Sequence, residues 1–142
     1  LQTEDLDETG YLEDEEAVIA GEVRLFQEDI RKVQLAKSAI CAGIKTMLHR
    51  AGMQPSELQE LLVAGGFGSF IQLENAIAIG LLPEVELGKI TVTGNAALMG
   101  AAMLLLDKEK LPEAERLAAV AQTVDLASDA FFKECYMEGM LF

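Results

Sequence analysis

The stretch Leu61-Leu62-Val63-Ala64-Gly65-Gly66-Phe67-Gly68-Ser69-Phe70 decides how this chain is read. Its first four residues form a continuous apolar run of strand length. Such a run fits a strand buried on both faces, inside a sheet covered by helices. The run enters a turn with three glycines in four positions. Glycine permits positive φ and lets a ligand approach with no Cβ in the way. A turn at the carboxyl end of a buried strand is where α/β sheets bind ligands. No Gly-Lys-Ser/Thr follows, so this is not a Walker A loop, and the spacing is not GxGxxG. On spacing alone a second reading stays open, a tight strand–helix connection that holds no ligand.

Outward from this turn the pattern alternates. Upstream, Ile30, Val33, Ala36, Ile40, Ile44, Met47, Leu48 and Ala51 recur at spacings of three and four. This predicts an amphipathic helix from Asp29 whose apolar stripe faces a core. Gly52 is its expected stop. Pro55 and Ser56 open a short helix through Glu60. Before the long helix, residues 17–27 carry β-branched and apolar residues and read as a strand, with Tyr11 and Leu12 in a partner strand. Downstream, a helix is predicted from about Leu73 to Ile79, stopping at Gly80, and a short strand over Lys89 to Val92. Gly94 and Asn95 then start a small-residue helix, Ala96 to Leu106. Further expectations are a helix from Pro112 to Ala121, a last strand from Thr123 to Leu126, and a final helix capped by Ser128. Strands alternating with helices imply an α/β layered domain with a largely parallel sheet.

The bulk properties bound the function. The 142 residues are 51% hydrophobic and 25% charged, enough for one domain or a large piece of one. Acids outnumber bases 24 to 11, for a net charge of −13. A nucleic-acid binder needs a basic footprint, so no nucleic-acid partner is expected. Adsorption to an anionic membrane is disfavoured in the same way. The longest near-continuous apolar run, Ala96 to Leu106, is eleven residues. A spanning helix needs about 20, so this run is expected to be a buried helix. No signal peptide is visible. The first 23 residues hold nine of the acids and no Lys or Arg, and read as an acidic linker or edge hairpin. The chain opens on Leu1, which suggests the interior of a longer protein. Cys41 and Cys135 stand far apart with no CxxC or Cys/His spacing, so no metal or cluster site is expected in this chain. They are expected to act as small apolar residues. The lone His49, beside Arg50, suits a surface position near a helix end.

Three segments are candidates for chemistry. The first is the glycine turn with Gly65, Gly66, Gly68 and Ser69. The second is the polar stripe of the long helix, Gln34, Lys37, Ser38, Cys41 and Lys45. That stripe is either an ordinary solvated face or a set of donors lying against a base and sugar. The third is Gly94-Asn95 followed by Ala96-Ala97-Leu98-Met99-Gly100-Ala101-Ala102. It reads as a cap with tight helix packing, or as a side chain placed beside the same nucleotide.

Taken in order, QLAKSAI (34–40), LVAGGFGSF (62–70) and GNAALMGAA (94–102) resemble the second half of an actin-like ATPase domain. Longer phrases resemble one family in that superfamily, the reductive activators of corrinoid enzymes. These are EDIRKVQLAKSAICAGI (28–44), AGGFGSFIQLENAIAIGLLP (64–83), GNAALMGAAMLL (94–105) and LASDAFFKECYMEGMLF (126–142). The resemblance runs from about Arg24 to Phe142. It implies a ribonuclease H-like fold, a mixed sheet flanked by helices, in a cytoplasmic protein. It implies an ATP/ADP site with Mg, and an iron–sulfur cluster in a domain outside this chain. The implied partner is a corrinoid protein of a methyltransferase system, whose inactive Co(II) is returned to Co(I). Carried over by position, Gly65 and Gly66 would line the nucleotide pocket, with Gly68 and Ser69 at its edge. Gln34, Lys37 and Ser38 would face the adenosine, and Asn95 stands where many members place an acid.

The chain also departs from the whole-protein pattern. It has no iron–sulfur cysteine cluster. It lacks the glycine-rich phosphate hairpin and the metal-binding acid of the first half of an actin-like domain. The expectation is half of a nucleotide cleft, inactive in isolation. A different class of function is kept beside it: a docking or homodimerising module of actin-like shape. The apolar tail residues Phe131, Phe132 and Tyr136 through Phe142 would serve that role if exposed.

Overall fold

The computed structural model describes residues 16–66 and 68–141. Tyr11 and Leu12 lie outside them, as do Phe67 and Phe142. The region read as one strand is a hairpin, β1 (Glu16–Ala20) and β2 (Val23–Phe26), paired antiparallel. Gly21, at φ 56°, makes its turn. Arg24 pairs with Glu16 across the hairpin. The hairpin therefore straddles the expected boundary at residue 23.

β2 runs directly into α1 (Gln27–Ala51). Asp29 starts this helix by accepting the Phe26 backbone N–H at 3.3 Å. Glu28 and Asp29 in the first turn and His49 and Arg50 in the last complement the helix dipole. Gly52, at φ 67°, ends it with its N–H on the His49 carbonyl. Pro55–Glu57 is one tight turn, shorter than the helix expected there.

The central unit is β3 (Leu61–Ala64), α2 (Leu73–Ala78) and β4 (Ile90–Gly94). The two strands pair in parallel, Leu61 opposite Ile90 and Val63 opposite Val92. A parallel pair needs a crossover, and α2 supplies it. Ala76, Leu82, Val85 and Ile90 form the buried core, with Leu61, Val63, Ile71 and Ile77 packed around them. Gly80, at φ 74°, ends α2 at the expected place. The backbone N–H groups of Leu81 and Leu82 then return to the Ala76 carbonyl and fold the next segment under the helix.

α3 (Ala96–Leu106), α4 (Leu111–Val120) and α5 (Ala130–Glu138) follow. Three expectations are corrected here. Thr123–Leu126 is not a strand. Asp125 accepts the Ala127 N–H at 3.1 Å and the Ser128 hydroxyl at 2.6 Å, and this local turn displaces an extended ladder. The cap of α5 is consequently Asp129, not Ser128; its carboxylate accepts the Phe132 N–H at 3.1 Å. Finally, α3 forms where expected but none of its residues is buried. The segment has the composition of an interior helix, yet only Leu104 is half-buried and its other residues are exposed.

α1 buries parts of both stripes. Ile30 and Leu48 of the apolar stripe are buried, but so are Gln34, Lys37, Ser38 and Cys41 of the polar one. Val33, Ile40 and Met47, from the apolar stripe, are exposed. The reason is the partner: α5 lies on the polar stripe and makes the most extensive helix–helix contact of the chain. No helix of the described residues is long and apolar enough to cross a membrane.

Replacing Leu82 by Ala should cost about 2–5 kcal/mol, because it leaves a cavity among buried neighbours. Replacing exposed Leu105 by Ala should change stability by about 0.5 kcal/mol or less in this chain. Urea denaturation of both variants checks the assigned core.

Candidate functional site

The strand pair ends in an irregularity. Register runs evenly to Val63 and Val92, and then Ala64 pairs with Gly94, skipping Thr93. This bulge fits one extra residue into β4. The Thr93 hydroxyl donates to the Val63 carbonyl at 3.4 Å across it. Past the bulge, the Gly65 N–H donates to the Gly94 carbonyl at 2.6 Å. Gly65 has φ 104° and Gly94 has φ 64°, which side chains with a Cβ rarely adopt. The bulge and the two left-handed glycines turn both strand ends away together. Gly66 follows one, and Asn95 follows the other.

Two of the three predicted segments therefore meet here. A Cβ built on Gly65, Gly66 or Gly94 would find nothing within 4 Å, so the turn borders open space. Asn95 caps α3 by accepting the Leu98 N–H at 3.0 Å through its carbonyl oxygen. Ser69 is exposed beside the turn. Gly68 has a different task. It is buried, and a Cβ there would stand 2.7 Å from the Val63 side chain. Its glycine is required for packing the turn back onto β3.

The third segment goes elsewhere. Gln34, Lys37 and Ser38 are 6%, 3% and 0% exposed. Lys37 donates to the Leu141 carbonyl and Ser38 donates to the Tyr136 carbonyl. Lys37 and Ser38 hold the end of α5 and the tail against α1, and with Gln34 buried beside them the stripe does not present an open polar face. Gly139 permits the contact, since a Cβ there would lie 2.9 Å from the Ser38 hydroxyl and 3.1 Å from the Cys135 carbonyl. Burial pushes the Lys37 ammonium below its ordinary pKa. Lys37, Cys41, Lys45, Ile77, Gly80 and Leu141 are among the residues lining an open groove of about 480 Å³. Cys41 and Cys135 are free and buried, and burial raises the Cys135 thiol pKa. Among the described residues no group of three or more His, Cys, Asp or Glu could hold a metal.

Sequence reasoning missed what locks α5 in place. Asp129 accepts two bonds from Arg50, at 3.1 and 2.7 Å, while it caps α5. His49 stacks on Phe131, ring centroids 4.1 Å apart. The tail thus packs on a helix, with Met137 and Leu141 left exposed. The Arg50 bonds, and then the Phe132 N–H, hold the Asp129 carboxyl below the usual carboxylate range. Residues 79 apart carry no local signal of this pairing.

With the fold and this turn in view, the comparisons are decisive. The profile of the family described as the C-terminal domain of RACo, the ASKHA domain, matches residues 2–142. The chain belongs to this family. It is 37% identical over 121 residues to the corrinoid activation enzyme RamQ of Eubacterium limosum, covering 85% of this chain and 20% of that protein. It is 25% identical over 117 residues to the [Co(II) methylated amine-specific corrinoid protein] reductase of Methanosarcina barkeri, covering 81% and 22%. A solved reductive activator for corrinoid, iron–sulfur protein superposes with a TM-score of 0.82 at 24% identity, covering 96% of this chain and 25% of that one. This last likeness bears on the fold. The chain spans about a fifth of the length of the curated relatives it matches.

Two outcomes test the α1–α5 lock. Gly139→Ala should lower the urea midpoint, because Ser38 cannot give way without losing its bond to Tyr136. The depressed Asp129 pKa means that its contribution is present above the unfolded carboxylate pKa of about 3.9 and is lost as pH falls through the folded value. The stability gap between wild type and Asp129→Asn should therefore be constant above about pH 5 and shrink below pH 4.

Proposed function

We propose that this chain is the nucleotide-facing part of an ATP-dependent reductive activator that returns a Co(II) corrinoid protein to Co(I). Family membership and the names of its relatives support the corrinoid role. The observation that carries the nucleotide reading is the glycine turn. Gly65 and Gly94 are bonded at the carboxyl ends of two parallel strands, and apart from the adjoining residues no atom stands within 4 Å of a Cβ at either residue or at Gly66. Such a cradle fits ribose and phosphate oxygens, which need backbone approach more than side chains. Asn95 opens the eleven-residue α3 beside it, so the positive end of that helix dipole faces the same space.

The proposal assigns Gly65, Gly66 and Asn95 to the nucleotide, with Ser69 at the margin. Gly68 supports the turn from below. Lys37 and Ser38 hold α5 in the form described here and Gln34 is buried, so the base would be met by residues outside this chain.

The electron must come from elsewhere too. Two separated cysteines cannot hold an iron–sulfur cluster by themselves. In the proposed division of labour a separate iron–sulfur domain supplies one electron to the cobalt, and the ATPase supplies the conformational work. Its nucleotide states must differ in affinity for the corrinoid partner, because a ligand shifts an equilibrium only through differential binding. The partner proposed is the corrinoid protein of a methyltransferase system.

Gly66→Val tests the reading. The position has room for a side chain in this fold, so the variant should fold. In the full-length activator it should abolish ATP turnover and corrinoid reduction together, with an unchanged circular dichroism spectrum. Normal ATP turnover in that variant would end the nucleotide assignment. The 142-residue chain alone should turn over ATP at the background rate.

A further inference from the structure

The contact between α1 and α5 brings the two cysteines of the chain to one level. His49 stacks on Phe131 and Arg50 bonds Asp129 at one end, and Ser38 bonds the Tyr136 carbonyl toward the other, so the helices run antiparallel. Near that second end the backbones almost touch: a Cβ on Gly139 would stand 3.4 Å from the Ser38 Cα. From this point toward His49 and Phe131, Cys41 lies one turn along α1 and Cys135 one turn along α5. At a rise of about 1.5 Å per residue, their levels differ by about 1.5 Å. Ala42, buried beside Cys41, adds no bulk that would hold the helices apart. A disulfide joins Cα atoms usually about 4–7 Å apart, which a close backbone approach provides. Cys41 is also among the groups whose charge acts on the Cys135 thiol. Both thiols are free, and the proposed nucleotide and corrinoid chemistry uses neither.

We propose that Cys41 and Cys135 form a reversible disulfide that clamps α5 and the tail onto α1 when the protein meets a hydroperoxide. Cys41 lines the open groove, so the oxidant reaches it first. Its sulfur attacks the O–O bond of hydrogen peroxide and becomes a sulfenic acid; the released hydroxide takes the thiol proton and leaves as water. The Cys135 sulfur then displaces the sulfenic hydroxyl, which leaves with the Cys135 proton as a second water. Two thiols and one peroxide thus become one disulfide and two waters, with sulfur oxidised and the peroxide oxygens reduced. A dithiol reverses the bond by exchange. In the oxidised form α5 can no longer leave α1. The inference rests on the α1–α5 contact and holds whether or not the glycine turn binds nucleotide.

The test is peptide mapping of the full-length activator carrying this sequence, which separates these two cysteines from any in other domains. The protein is treated with hydrogen peroxide in native buffer and in urea, remaining thiols are blocked with iodoacetamide, and the digest is read by mass spectrometry. In native buffer, oxidised Cys41 should be recovered mainly in a peptide linked to Cys135, and dithiothreitol should separate the two. In urea the linked share should fall by about tenfold, because the unfolded chain no longer presents the second thiol. Cys135→Ser, with native circular dichroism, should stop at a Cys41 sulfenic acid that dimedone captures. The wild-type comparison stands without that variant. A native linked share no larger than the urea share would overturn the proposal. So would Cys41 recovered as sulfinic acid or paired with another cysteine, or both thiols surviving in native buffer a peroxide treatment that oxidises them in urea.

Discussion

The structure depends on the parallel pairing of β3 and β4 and on how that pairing ends. Parallel strands cannot be joined by a tight turn, so the chain between them must form a crossover. That crossover is α2, and its return through Gly80 to Leu82 and Val85 makes the buried core. At the far end, the skipped Thr93 and the bond from Gly65 to Gly94 turn both strands outward at one place. One register shift therefore brings Gly66 and Asn95 off the sheet at the same end.

The contact between α1 and α5 follows a different logic. Its centre is polar, yet its bonds are satisfied locally or across the interface. Thr46 donates back to the Ala42 carbonyl at 2.7 Å, and Ser38 and Lys37 donate to carbonyls of the last turn of α5 and the tail. Carbonyls at a helix C-terminus have no partner within the helix. The buried hydroxyl and ammonium supply partners, and the ammonium also suits the negative end of the α5 dipole. A polar stripe can thus be an interior face when the opposing surface is a helix end.

This explains which parts of the molecule could be read from sequence. The apolar run at Leu61, the stops at Gly52 and Gly80, and the start at Asn95 are local signals, and the elements appear where they point. The glycine turn was legible because positive φ leaves a mark in residue type. The α1 stripe was legible as a stripe, but its neighbour was not. Periodicity says which residues share a face, not what covers that face. Asp125 and Ser128 show the same limit at short range. A β-branched start and an apolar finish suggest a strand over Thr123–Leu126, while Asp125 binds its own neighbourhood and ends the ladder before it forms.

The placement of Lys37 constrains how an acidic chain could meet a polyanionic ligand. With a net charge of −13, long-range electrostatics oppose nucleotide approach. A lysine aimed at the phosphates would offset that, but Lys37 is committed to the Leu141 carbonyl and its burial disfavours the charged form. At the glycine turn, the donors this chain brings to the proposed site are backbone N–H groups, the Asn95 and Ser69 side chains, and the dipole of α3. These are neutral groups, worth most where water is excluded and the field is unscreened. On this reading the cradle binds phosphate only when the cleft is closed over it. The closing half, brought by the remainder of the domain, would also have to bring the positive charge. The arrangement would couple nucleotide affinity to domain closure, which a conformational cycle requires and a preformed cationic pocket on this half alone would not provide.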